Sequence, residues 1–211
     1  MIPEGLRREA LECFSSDFSG HDAAHTQRVI RLALTIARAE GADRDVVELA
    51  ALLHDVDDEK LTGVPPGNLP WARRLMAKFG YPDAVIDRVC RIIGQVSFKG
   101  VDSVVPDTIE GKIVQDADRL DAIGAVGIAR AFTYGGSRGR VMHDPDVPPA
   151  LGMDAQAYRQ HRGTTVNHFY EKLLLLRDQM NTPAARRLAE ERHQFMLAFL
   201  KEFDAEWRGE K

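Results

Sequence analysis

Cysteine is scarce. Only Cys13 and Cys90 occur in 211 residues, too few and too isolated for a disulfide framework or a thiolate zinc knuckle, so a reducing, cytoplasmic location is expected. No apolar run approaches the roughly 18 residues that a membrane-spanning helix needs. The opening stretch MIPEGLRREALECF carries acidic residues where a signal peptide has its apolar core. A basic excess is lacking as well: 28 Lys and Arg stand against 32 Asp and Glu, a formal net charge of -4. That balance argues against a nucleic-acid polymer as partner. It leaves small phosphorylated compounds open, because a local Lys/Arg cluster holds phosphate on an acidic protein. Strand alternation, internal repeats and low-complexity tails are also absent.

What the chain does have is helical periodicity. From Ala24 to Ala39, Val29, Ile30, Ala33, Leu34, Ile36 and Ala37 recur at spacings of three and four. Gly41 and Asp43 then read as stop and cap before a helix with Val46, Val47, Leu49, Ala50 and Leu53 on one side. PWARRLMAKFGYP and PDAVIDRVCRIIGQV predict two more helices, each with Pro in or near its first turn. SFKGVDSVVPDT breaks the period and reads as a loop. TIEGKIVQDADRLDAIGAVGIARAFTYG reads as one long helical segment whose glycines favour close packing. Residues 135–153, rich in Gly and Pro, are expected to be irregular, and residues 156–207 to form two helices, with Thr182 as cap and Pro183 in the first turn after the break. The expectation is an all-α, single-domain helical bundle spanning residues 1–211.

His21 and His25 stand four apart around Asp22, a spacing that lets two imidazoles share one helix face and one ion. A zinc-protease helix would read H-E-x-x-H there. Asp22 is also well placed as an N-cap, receiving the amide of residue 24 or 25, which puts His25 on the inward stripe with Val29, Ala33 and Ile36. A second histidine, His54, adjoins Asp55 at the end of the next helix, where Asp55, Asp57, Asp58 and Glu59 crowd a terminus already negative by its dipole. A bound divalent cation would offset that crowding. A third cluster supplies Asp116, Asp118 and Asp121. Periodicity puts Asp118 near the buried face and Asp116 on the exposed side, but it does not separate Asp118 from Asp121.

The ordered set His25, His54-Asp55 and Asp118, spaced H-x(28)-HD-x(62)-D, resembles the HD superfamily of metal-dependent phosphohydrolases. ADRL, which singles out Asp118, is similar to a segment of the stringent-response nucleotide hydrolases. The likeness is strongest to small bacterial single-domain members through HDxxHTxRV, ELAALLHDxxDEK, IVQDADRLDAIGAxGIAR and NHFYEKLLLLRDQMNT, and covers about residues 20–208. It implies an HD-domain fold, with its core at about 20–125 and C-terminal helices at about 156–208. His25 becomes the ligand and His21 a supporting or surface residue. The protease reading is set aside, since it requires a downstream third ligand and a glutamate where Asp22 stands, and Asp22 would sit short for a general base.

Two imidazoles and two carboxylates suit one divalent ion: Mn, Fe, Ni or Co, with Mg or Zn less favoured by the donor types. Such an ion would activate water for P–O hydrolysis. The resemblance implies an acidic catalytic residue at Asp58, three past Asp55, although Asp has a shorter reach than Glu; Glu59 is the second candidate base. Lys60, Lys99, Arg119, His168 and Lys172 are candidates for holding substrate phosphate. Arg138 and Arg140, among glycines in YGGSRGR, suggest a lid over a triphosphate. The expected activity is a (d)NTP pyrophosphohydrolase. Alternatives are a nucleoside monophosphate phosphatase, a cyclic-nucleotide phosphodiesterase, or a non-catalytic nucleotide-sensing module. A homodimer is compatible with the sequence, which does not set the oligomeric state.

Overall fold

Helix-forming periodicity is realised throughout the computed structural model, which describes residues 2–14, 22–58, 67–96, 104–153, 161 and 163–211. The architecture is all-α, with no strand among the described residues. In chain order the helices are α1 (Glu4–Glu12), α2 (Ala23–Glu40), α3 (Arg44–Leu53), α4 (Pro70–Lys78), α5 (Asp83–Val96), α6 (Ile109–Asp121) and α7 (Gly124–Ser137). They are followed by α8 (Thr165–Glu171), a 3-10 turn (Leu173–Gln179) and α9 (Pro183–Trp207). No described helix is long and apolar enough to cross a membrane. Contacts group the chain into two compact units, one of Met1–Phe98 with Ser103–Asp118 and the other of Lys99–Asp102 with Arg119–Lys211.

In the first unit, α3 is the central helix, contacting α1, α2 and α5. Its run from Leu49 to Leu53 is entirely buried, as an interior helix should be. The helix starts follow the local chemistry. Asp22 accepts the amide of His25 at 2.7 Å, and Asp43 accepts that of Val46 at 3.3 Å. Gly41 ends α2 in the left-handed conformation, φ 69°. Helix α1 was not expected from the sequence, although Leu6, Ala10 and Phe14 stand four apart and are all buried.

In the second unit, α9 packs on α7 and on the 3-10 turn. An aromatic ladder fills that core, with Phe132, Phe169, Phe199 and Phe203 in neighbouring ring contacts near 6 Å. Thr182 caps α9 by accepting the Ala185 amide at 3.3 Å, with Pro183 in the first turn as expected. The partner helix of that expected pair is shorter than the sequence suggested. It begins at Thr165 and passes into the 3-10 turn at Lys172, where φ is -143°.

The long segment from Thr108 to Gly135 is two helices, which corrects the expectation of one. Ile123 is extended (φ -125°, ψ 166°) and Gly124 takes φ +76°, so the chain turns between Asp121 and Ala125. Gly127 permits that turn: a Cβ there would lie 2.2 Å from the Ala122 carbonyl oxygen. Gly127→Ala is therefore expected to cost about 1–3 kcal/mol by overpacking against backbone. Gly136→Ala, nine residues on in the same helix and with open space around its Cβ position, should stabilise by about 0.5–1 kcal/mol. Urea denaturation of the pair checks this. Equal effects would show that Gly127 does not hold the turn.

Candidate metal centre

Three elements of the first unit bring donors together. His25 comes from the first turn of α2, where the Asp22 cap sets the chain direction, and its side chain is wholly buried. His54 ends α3, Asp55 opens the turn after it, and Asp118 comes from α6. The Nε2 atom of His25 lies 3.4 Å from Asp55 Oδ2 and 3.5 Å from Asp118 Oδ1. The Nε2 atom of His54 lies 3.2 Å from Asp55 Oδ2 and 3.9 Å from Asp118 Oδ1. The rings face one another at 5.4 Å between centroids.

These separations fit one cation. With bonds of about 2.1 Å, neighbouring ligand atoms sit about 3.0–3.4 Å apart and opposed ones about 4.2 Å. The tautomer also fits. His54 Nδ1 lies 2.9 Å from the Ala51 carbonyl oxygen, and donating its proton there leaves the Nε2 lone pair for the cluster. His54 Nε2 is buried and faces Asp55 Oδ2 at 3.2 Å. A buried nitrogen so placed suits a metal better than a hydrogen bond. Burial disfavours a charge on His54, but the negative charges of Asp55 and then Asp118 outweigh it, and the imidazole is pushed up to about 9. His25, His54 and Asp55 form a group that could hold a metal ion, their ligand atoms all within 4.8 Å of one another.

The remaining acidic residues divide by role. Asp121, which periodicity left level with Asp118, is buried and pairs through Oδ2 with Arg130 at 2.6 Å. Asp116, expected on the exposed side, is fully buried, because α6 is enclosed around most of its circumference, with Gln115 and Asp121 buried too. Asp57 receives the backbone amides of Trp71 and Ala72, both at 2.9 Å. It thus caps α4, whose own N-cap residue, Leu69, supplies no capping side chain. The acidic crowding after α3 therefore has two causes, and Asp57 is the structural one. Asp57→Ala should cost about 1–3 kcal/mol and leave metal stoichiometry unchanged, as denaturation and metal analysis of the same preparation would show. Loss of the metal with stability intact would reverse this assignment.

The other sequence candidates are placed as follows. Asp58 follows the ligands closely, its amide donating to the Asp55 carbonyl at 3.0 Å. Glu59, Lys60, Lys99 and His21 lie outside the described residues. Arg119 is buried and donates through Nη1 to the Gln179 carbonyl oxygen. His168 and Lys172 stand in the second unit, partly buried at one end of α8. His168 is pushed down to about 3, by burial first and then by the positive charges of Lys172 and Arg140. Arg140 was considered from sequence only as part of a lid. The segment after it is tied down: Thr165 and Val166 donate amides to the carbonyls of Val141 and Met142 at 2.9 and 3.0 Å.

An all-α scaffold that gathers two imidazoles and two carboxylates at this spacing has the donor set of a divalent-metal site. The family model of the HD domain matches residues 22–123. An uncharacterized Bacillus subtilis protein, YpgQ, is 42% identical over 208 residues, 98% of this chain and 94% of that one. Among solved structures, a Lactobacillus plantarum protein superposes with a TM-score of 0.86 at 39% identity, covering 99% of this chain and 100% of that one. A Bacillus thuringiensis HD-superfamily hydrolase gives 0.77 at 40%, covering 97% and 96%. Bacillus subtilis YpgQ in complex with ADP gives 0.75 at 40%, covering 96% of each. The chain belongs to the HD superfamily of hydrolases.

Proposed function

We propose that this protein is a metal-dependent phosphohydrolase that cleaves nucleoside triphosphates, deoxy or ribo, with release of pyrophosphate or phosphate. The observation that carries the reading is the four-donor cluster. Its Nε2 and carboxylate atoms lie 3.2–3.9 Å apart across the two histidines and two aspartates. His25, His54, Asp55 and Asp118 would hold one divalent ion. When bound, such an ion supplies Lewis acidity toward water and phosphoryl oxygen. Asp58, whose backbone N–H donates a hydrogen bond to the Asp55 carbonyl oxygen, is the residue proposed to accept the proton from the attacking water. The ADP complex of YpgQ, 40% identical in the aligned structure, supports a nucleotide as ligand.

The test is a product analysis. Purified protein with Mn²⁺ is offered (d)NTPs, nucleoside mono- and diphosphates and cyclic nucleotides, and the products are separated by anion exchange. Hydrolysis of triphosphates is the expected result. Turnover confined to monophosphates or to cyclic nucleotides would replace the reading with a phosphatase or a phosphodiesterase. Nucleotide binding without turnover, with metal confirmed in the site, would make the protein a sensing module instead.

A further inference from the structure

The cap that Asp57 supplies to α4 comes from the turn that carries the metal donors. Each carboxylate oxygen takes one backbone amide, Oδ1 from Trp71 and Oδ2 from Ala72, both at 2.9 Å. Bonds to two consecutive amides fix the plane of the carboxylate and so hold the side chain in a single orientation. The donors lie 14 and 15 residues further along the chain. Asp55 stands two residues before this clamp and Asp58 directly after it. Between them Val56 is buried, its amide donating to the Leu53 carbonyl at 3.3 Å, and the Asp58 amide donates to the Asp55 carbonyl at 3.0 Å. The turn is short and hydrogen-bonded, so a displacement at Asp57 reaches both neighbours.

The far side of the clamp is strained. Leu69, which precedes α4, is buried and adopts φ 53°, ψ 58°, the one non-glycine residue with positive φ among the described residues. An L residue keeps that conformation only where its surroundings over-determine it. Here the Arg73 amide donates to the Leu69 carbonyl at 3.1 Å and Arg73 Nε to the Asn68 carbonyl at 3.0 Å, while Asp57 holds the two amides in between. Helix α4 packs in turn on α1 and α5. Ser, Thr, Asp or Asn at position 69 could cap the helix locally on relaxed backbone. The chain instead draws the cap from the ligand turn, through a strained joint. We propose that Asp57 is a positioning residue for the metal centre: its clamp on α4 holds the turn so that the Asp55 carboxylate is placed for an ion and the Asp58 carboxylate for water. The effect on rate rests on the hydrolase reading above, but the effect on metal coordination does not.

The experiment uses the full chain, well below its Tm, with Co²⁺ as the probe. Visible absorption reports the coordination geometry, chelator competition the affinity, and triphosphate turnover kcat and KM. Asp57→Asn keeps the side-chain volume and one acceptor but turns an NH2 group toward a backbone N–H. It should still take up one Co²⁺ per chain at saturation, with shifted d–d bands. Affinity and kcat should each fall about 10–100-fold, the scale for residues that orient ligands, with KM little changed. Thr182→Ala, which removes the side-chain cap of α9 in the second unit, controls for lost stability and should leave the bands, the affinity and kcat at their parental values. Should Asp57→Asn not fold, Trp71→Pro removes one donor from the other side of the clamp, in a first helical turn where proline is tolerated, and should move the same bands. A folded Asp57→Asn protein with the parental Co²⁺ spectrum and affinity overturns the proposal, as do equal losses in Thr182→Ala. The two readings fail separately. Shifted Co²⁺ bands in a chain that hydrolyses no nucleotide keep the clamp and lose the hydrolase assignment, while triphosphate turnover with bands that ignore Asp57→Asn does the reverse.

Discussion

Asp55→Asn is expected to abolish tight metal binding and to lower nucleotide hydrolysis by about 1,000-fold or more, with the helical fold retained. Oδ2 of Asp55 is the only cluster atom within 3.4 Å of both histidine Nε2 atoms, so it sits where the donors converge. Replacing one oxygen by an amide removes a charge and a ligand while leaving the volume unchanged. Damage to residues that merely orient ligands costs about 10–100-fold in metal affinity, and a lost ligand should exceed that. Several kcal/mol of Lewis-acid stabilisation then disappears from the transition state, which is about three powers of ten in rate. Metal content by mass spectrometry and steady-state hydrolysis check both halves. A variant that keeps one tightly held ion and parental turnover would remove Asp55 from the site.

Removal of the metal should have the second-largest effect, on stability and on its pH dependence. His54 titrates near 9 in the metal-free fold, above the 6.5 of an ordinary imidazole, because Asp55 and Asp118 outweigh its burial. The folded state therefore binds a proton more tightly than the unfolded one. The resulting stabilisation is fully present below about pH 6.5 and is lost as the pH rises through about 9. A divalent ion takes the place of that proton and acts in the opposite direction on pH. At 100 times its dissociation constant it contributes about 2.7 kcal/mol. For a chain of this size that corresponds to a rise in Tm of roughly 5–10 °C. Thermal melts at pH 6, 7.5 and 9, with EDTA or with Mn²⁺, should therefore diverge as the pH rises. Parallel curves at all three values would mean that the ion does not engage His54.

The donors of the candidate metal centre differ in how far the sequence reveals them. His25 was legible because the Asp22 cap and the apolar stripe of α2 fix its direction by local rules alone, and the structure buries it accordingly. Asp118 was not separable from Asp121 by periodicity. Both sit on a helix enclosed on most sides, and what tells them apart is the partner, Arg130 for Asp121 and the imidazoles for Asp118. The family resemblance supplied that choice. Asp57 looked like one more acid in a crowded turn because its partners are backbone amides at residues 71 and 72, which leave no mark in the sequence. The break between α6 and α7 was hidden for a related reason: Gly124 and Gly127 are as compatible with close packing as with a turn, and only the Ala122 carbonyl decides.

Anomalous diffraction at the manganese edge, from crystals grown with Mn²⁺ and no chelator, tests the metal centre most directly. One strong peak is expected, within about 2.0–2.4 Å of His25 Nε2, His54 Nε2 and a carboxylate oxygen of both Asp55 and Asp118. A fully loaded crystal with its peak elsewhere, or with these four side chains turned away from it, would contradict the proposed chemistry.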